Sequence, residues 1–215
     1  MKTLVLIAVS VAAFGLFAAE DICFAAGKWD QKAWWNVANP RWNYRHGFEQ
    51  AEDCILNECP GTKIADWYSA MVMTNRFSEA VSISARMSFD DRFAPGILIA
   101  PELVDGPTGK ELRDHFEIIL FDGGINVWRY KWTETGFVIT KPAFVVTPFA
   151  PRTPLTVTVT IKERNVVGGG KTRQMTVTCG SCQFGFRSDD LPASFYAGIN
   201  GNEGRCRFYS FGVGD

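Results

Sequence analysis

Glu79-Ala-Val-Ser-Ile-Ser-Ala-Arg-Met-Ser-Phe89 alternates apolar and polar side chains almost without a break. Val81, Ile83, Ala85, Met87 and Phe89 fall on one side, and Ser82, Ser84, Arg86 and Ser88 on the other. A repeat of two belongs to a pleated strand, whose successive side chains point to opposite faces. A helix would need apolar residues three and four positions apart. The stretch therefore predicts a strand with one buried and one solvated face.

Pro154 to Lys162 repeats the pattern, with Leu155, Val157, Val159 and Ile161 set against Thr156, Thr158 and Thr160. The β-branched residues suit a half-buried pleated surface. Further strands are expected at Gly96 to Ala100, Asp114 to Phe121, Gly124 to Lys131, Gly136 to Val146, Thr172 to Thr178, Cys182 to Arg187, Ser194 to Ile199 and Cys206 to Val213. Turn residues separate them at Asp122-Gly123, Gly168-Gly169-Gly170, Gly180-Ser181 and Gly201-Asn202. From Trp67 onward helix signals are nearly absent. Many short strands without intervening helices imply an all-β chain, an antiparallel sandwich or barrel.

The segment from Lys28 to Gly61 is less regular and crowds Trp29, Trp34, Trp35 and Trp42 together. One reading makes it a source of first strands and a cap on the core. The other makes it a shelf on which sugars stack. The first is favoured, because buried aromatics carry large packing contributions.

Lys2 to Ala19 reads as a secretory leader: a basic start, an apolar run from Leu4 to Phe17, then small residues before Glu20 and Asp21. The run is short for a membrane span, so no transmembrane anchor is expected. Cleavage is expected after Ala19, or as late as Ala26, leaving one domain of about 190 residues, enough for a full-sized core. The expected location is outside the cell or in the periplasm.

Export places the six cysteines in an oxidising compartment, where disulfides are the default. Cys54 with Cys59, and Cys179 with Cys182, could each close a local loop; alternatively Cys206 ties the last strand back to Cys54 or Cys59. A four-thiolate zinc site from Cys54, Cys59, Cys179 and Cys182 is the sharper reading, but export favours oxidation over thiolate ligation. With 22 basic and 23 acidic residues, nothing points to nucleic acid or an anionic membrane as a partner.

Phe195-Tyr-Ala-Gly-Ile-Asn-Gly-Asn-Glu-Gly-Arg-Cys-Arg-Phe-Tyr-Ser-Phe-Gly-Val213 resembles the closing strands of concanavalin A-like lectin and glucanase domains. Ala197-Gly198-Ile199 leads through a polar turn to Phe208-Tyr-Ser-Phe-Gly-Val213, and the strands Val81 to Phe89 and Leu155 to Ile161 fit the order. The resemblance implies a two-sheet antiparallel β-sandwich of jelly-roll type, whose concave sheet often holds glycans. It does not imply a reaction, since function lives in sites rather than folds. No cofactor is expected; domains of that resemblance often hold a structural calcium, and Asp90, Asp91, Asn202, Glu203 and Asp215 are oxygen donors in turns. No spacing among them resembles a defined calcium loop.

Taking Asp122-Gly123 as a two-residue turn sets Ile119 opposite Asn126, Glu117 opposite Trp128 and His115 opposite Tyr130, all on one face. Phe116, Ile118, Leu120, Ile125 and Val127 make the other face, a core set. The first face offers flat aromatic surfaces for pyranose CH groups and polar groups for hydroxyls. The candidate ligand-binding residues are therefore His115, Glu117, Asn126, Trp128 and Tyr130, with Arg86 and Ser88 extending the face from a neighbouring strand, and carbohydrate is the expected partner.

Catalysis is the alternative, with Glu117 and His115 as acid and base in a hydrolase or lyase. Retaining glycosidases need two carboxylates about 5 Å apart. The laminarinase-type enzymes of the resembling superfamily carry Glu-x-Asp-x-x-Glu. Here Leu112-Arg-Asp-His-Phe-Glu117 puts Leu112 at the nucleophile position, and Glu111 would point to the opposite face. That argues against hydrolysis by that mechanism. A third reading is a structural or adhesion domain whose sheet face meets protein.

Overall fold

The computed structural model describes residues 20–42, 47–58, 67–78, 81–91 and 94–214. The leader, His46, Cys59 and Asp215 lie outside the described residues.

In chain order the strands are β1 (Glu20–Cys23), β2 (Trp34–Ala38), β3 (Phe48–Gln50), β4 (Ile55–Asn57), β5 (Tyr68–Met73), β6 (Phe77–Ser78), β7 (Ser82–Phe89), β8 (Ala94–Ala100) and β9 (Leu103–Gly106). They continue as β10 (Gly109–Leu112), β11 (His115–Phe121), β12 (Gly124–Thr133), β13 (Gly136–Val146), β14 (Leu155–Asn165), β15 (Lys171–Cys179), β16 (Cys182–Ser188), β17 (Ser194–Asn202) and β18 (Cys206–Gly214). A single 3-10 turn at Gln31–Ala33 precedes β2, capped by the Asp30 side chain.

Two sheets result. The eight-stranded sheet runs β16-β15-β14-β7-β18-β4-β3, with β1 added beside β18. The ten-stranded sheet runs β13-β12-β11-β8-β17-β5-β2-β10-β9, with β6 added beside β17. Pairing is antiparallel except between β2 and β10. This is the antiparallel sandwich that the alternating stretches predict.

The alternation works as expected in β7 and β14. Ile83, Ala85, Met87 and Phe89 meet Val157, Val159 and Ile161 in one core with Ile97, Ile99, Phe116, Ile118 and Val127 of the other sheet. Burying one such side chain is worth roughly 1.5–3 kcal/mol, so this layer holds the sheets together. β8 departs from alternation for a physical reason. Ile97 and Ile99 face the sandwich, while Leu98 and Ala100 enter a second apolar cluster on the sheet's other face, with Val37, Tyr68, Val72 and Leu112.

Gly201-Asn202, expected as a turn, instead ends β17 in regular pairing with Tyr68 and Ser69. Gly201 is there for close approach: a Cβ would sit 2.9 Å from that of Asn57. The reversal comes one step later, at Glu203 and Gly204, both at positive φ.

The pairings expected through Cys59 lie outside the described residues. No disulfide joins any two of the five described cysteines. Cys179 and Cys182 face each other across the Gly180-Ser181 turn, but Cys179 is a core residue, and burial pushes its thiol up. Burial, helped by Asp53, likewise pushes the Cys54 thiol up to about 11. The zinc reading fails on topology. Cys54 adjoins β4, and four strand spacings of about 4.8 Å separate β4 from β15, with β14, β7 and β18 between them. Among the described residues no three His, Cys, Asp or Glu side chains gather into a metal site, and none of their helices is long and apolar enough to cross a membrane.

Candidate functional site

The β11–β12 hairpin turns on two residues, and its register pairs His115 with Tyr130, Glu117 with Trp128 and Ile119 with Asn126. Those six side chains share the face turned away from the sandwich core. β13 lies beyond β12, and its register slips between Val127 and Arg129. Lys141 and Pro142 fall in that irregularity, where a residue without an N–H interrupts pairing at little cost. Opposite it, Trp128 stands half-buried, with Lys141 Nζ 5.6 Å from its ring centroid.

A cleft of about 550 Å³ opens over this face, lined among others by Glu117, Asn126, Trp128, Tyr130 and Ile139. That volume lies within the roughly 300–1,000 Å³ usual for small-ligand sites. Its other wall comes from Arg41 and Trp42 in the loop after β2, and from Asn202 and Glu203 at the end of β17; of these the sequence raises Trp42 as part of a stacking shelf, and Asn202 and Glu203 only as calcium donors.

Glu117 is wholly buried at the floor. Its Oε1 accepts from the Tyr68 hydroxyl at 2.9 Å and lies 3.3 Å from His115 Nε2, while Oε2 receives the Asn202 amide at 3.4 Å. His115 Nδ1 lies 2.6 Å from the Arg113 carbonyl, which can only accept, so the ring proton belongs on Nδ1. Asn39 accepts the Arg41 N–H through Oδ1 and turns its amide nitrogen to His115 Nε2 at 3.4 Å. The Glu117 carboxylate thus faces three side chains, those of Tyr68, His115 and Asn202. Burial, and then the charge of Glu117, push the phenol of Tyr68 well above its ordinary range, and do the same to Tyr130. Neither is a ready proton donor to a base.

Two of the expected ligand contacts are nearly enclosed, though Tyr130 still lines the cleft. His115 is 1% exposed and stacks on Tyr130, with centroids 4.4 Å apart. Tyr130 is 4% exposed, meets Phe137 edge-on, and its hydroxyl receives Arg41 at 3.2 Å. Trp128 and Trp42 remain as the aromatic walls. Trp42 stacks on Tyr68, with the Arg41 guanidinium 4.9 Å from its ring centroid.

Arg86 and Ser88 do not extend this face. β7 belongs to the opposite sheet, where Arg86 lies 5.2 Å from the Tyr209 ring and Ser88 is buried against the Tyr209 hydroxyl. The four tryptophans of the N-terminal segment divide. Trp34 packs edge-on against Phe24, Trp29 and Phe211 as a core cap, Trp35 tilts against Tyr196, and Trp42 alone lines the cleft.

Glu203 is the second carboxyl on the cleft. It adopts φ 52°, a left-handed conformation uncommon for a side chain without a local hydrogen bond to offer. Its N–H donates to the Trp67 carbonyl. Buried Asn57 ties the same turn by donating to the Gly204 carbonyl at 2.6 Å and accepting from Cys206 N–H at 2.7 Å. Burial holds the Glu203 carboxyl above the usual range; Arg41 opposes that shift and Glu117 adds to it. Of the candidate calcium donors, Asp90 is engaged by Arg207 through two bonds of 2.8 and 3.0 Å, Asn202 and Glu203 line the cleft, and Asp215 lies outside the described residues.

No family model matches the chain, and no curated protein matches its sequence. Solved structures do match its shape. A carbohydrate-binding module of type CBM66 from Bacillus subtilis superposes with a TM-score of 0.58 at 9% identity, over 85% of this chain and 96% of the other. The carbohydrate recognition domain of Emp46p, in metal-free form, gives 0.56 at 11% identity, over 90% and 95%. The β-agarase B of Zobellia galactanivorans gives 0.57 at 7% identity, over 85% and 84%. A carbohydrate-binding module, a carbohydrate recognition domain and an agarase share one architecture here, and the likeness shows that fold, a two-sheet jelly roll.

Proposed function

We propose that the chain is an exported, non-catalytic carbohydrate-binding domain whose ligand sits in the cleft over Trp128. The carrying observation is the cleft itself: flat apolar walls from Trp42 and Trp128 enclose a floor of fixed polar groups. Aromatic faces suit the CH face of a sugar ring, and a braced carboxylate and amides suit its hydroxyls. Neighbours of the same fold include a carbohydrate-binding module and a carbohydrate recognition domain, which supports the assignment. The bracing of Glu117 supports binding over chemistry, because its oxygens already face Tyr68, His115 and Asn202. Leu112 supports it too, being wholly buried in the second apolar cluster. A glycan array with the mature protein and its Trp128→Ala variant is the test. Selective binding that the variant loses is expected; absence of binding to every glycan overturns the assignment.

One observation favours hydrolysis as a second reading. Glu203 brings a second carboxyl to the cleft of Glu117 from a different strand, so a motif confined to β11 is not required. Glu203 would protonate the leaving oxygen, and Glu117 would take a proton from the attacking water. Release of reducing ends from a bound glycan, lost in Glu203→Gln while binding persists, would establish it.

A further inference from the structure

Two polar atoms of cleft-lining side chains are buried and have no partner among the described residues: Asn202 Oδ1 and Trp42 Nε1. Buried polar atoms are normally satisfied, so each marks a place where a ligand group would restore a bond. One is an acceptor and one is a donor, and a hydroxyl can serve both. Asn202 is 7% exposed, and its orientation is decided by chemistry. The Nδ2 group donates to Glu117 Oε2 at 3.4 Å, and a flipped amide would set oxygen against carboxylate. Oδ1 is therefore the orphan, held beside Glu117 Oε2 by the amide that spans them. Two neighbouring acceptors match two adjacent hydroxyl donors. Trp42 lies close by, since it stacks on Tyr68, the register partner of Asn202.

Charge narrows the ligand further. Glu117 and Glu203 both line the cleft. Two described cations stand near it, Arg41 in the lining and Lys141 beside it. Arg41 donates to the Tyr130 hydroxyl, lies over Trp42 and acts on Glu203. Lys141 stands outside the lining, 4.6 Å from the Phe144 ring centroid. Among the described residues, a carboxylate or sulfate on the ligand would meet two lining carboxyl groups against the single guanidinium of Arg41. Like-charge juxtaposition is a standard device for rejecting a ligand class.

We infer that the cleft selects uncharged sugar units with adjacent free hydroxyls and rejects uronic acid and sulfated units, with Asn202 and Glu203 as the residues that set this choice. This rests on the carbohydrate-binding assignment above.

The test is calorimetric titration of the full mature chain. Neutral glucan, galactan and fructan oligosaccharides are compared with oligogalacturonate and oligomannuronate of equal length. The neutral set is expected to bind at least about tenfold more tightly than the acidic set at neutral pH. Glu203→Gln is expected to narrow that gap, and Asn202→Ala to weaken neutral binding about tenfold. Glu203 is half-buried on a turn, so its variant stays informative even if Asn202→Ala folds poorly. Acidic chains that bind the native protein as tightly as neutral ones, or a gap unchanged by Glu203→Gln, would overturn this inference and leave the carbohydrate assignment standing. Binding of neither set would overturn both.

Discussion

His115 and Tyr130 lie face to face across the β11–β12 hairpin, with ring planes 7° from parallel and centroids 4.4 Å apart. Tyr130 is thereby covered by protein on at least one ring face. The pair acts as a plate behind Glu117, and the open aromatic surface passes to Trp128, half-buried one pair further along. Trp128→Ala is expected to abolish glycan binding while shifting the unfolding midpoint little. Tyr130→Ala is expected to cost about 3–5 kcal/mol of stability, because it leaves a cavity under His115. Chemical denaturation beside a binding assay separates the two effects, and equal destabilisation by both would contradict the assignment of roles.

Tyr68→Phe removes a buried donor to Glu117 Oε1 while keeping the ring that Trp42 stacks on. The expected loss is about 1–3 kcal/mol in urea unfolding, the cost of leaving a buried charged acceptor short of a partner. An unchanged midpoint would show that this bond does not brace Glu117.

Asn57→Ala tests the support of the Glu203 turn. Losing its bonds to Gly204 and Cys206 is expected to cost about 1–3 kcal/mol and to weaken glycan binding. Loss of stability with binding intact would show that Glu203 is not positioned by this tie.

Asp90 and Arg207 predict an acid-sensitive contribution to stability. Hydrogen bonding from Arg207 holds the Asp90 carboxyl below its ordinary range, so the folded state binds its proton less tightly than the unfolded state. The contribution is present above the ordinary carboxylate value and is lost as pH falls through the folded value. Asp90→Asn should lower stability near neutral pH by about 1 kcal/mol and flatten the acid limb of a midpoint-against-pH plot. Parallel acid limbs in both proteins would refute it.

The position of β1 predicts where a leader would be removed. Glu20–Cys23 pairs with β18, and Phe24 is wholly buried against Trp29 and Trp34. Cleavage after Ala19 keeps both; cleavage after Ala26 deletes them and costs at least about 3 kcal/mol for Phe24 alone. Intact mass of the exported protein is expected to place its first residue at Glu20.

Much of the architecture was legible in short stretches. Gly136 to Val146 runs in the structure with the bounds read from its residues, and the Asp122-Gly123 turn delivered the expected register of β11 and β12. His115, Glu117, Asn126, Trp128 and Tyr130 gather on one face because alternation and a two-residue turn act between near neighbours in the chain. Arg86 was misplaced because nothing local says which sheet a strand joins. The Gly201-Asn202 turn was misread because a glycine that admits Asn57 looks, in sequence, like a glycine that admits a turn.

The sequence by itself determined an all-β chain, its strands and the polar face of one hairpin, since strand periodicity and turn chemistry depend on adjacent residues. Only the tertiary structure decided the site. Trp42, Tyr68, Asn202 and Glu203 are brought to the cleft of Glu117 by the order β11-β8-β17-β5-β2, an order of long-range pairings. The contact of Tyr68 with Glu117 spans 49 residues and that of Asn202 spans 85, distances over which local pattern carries no information.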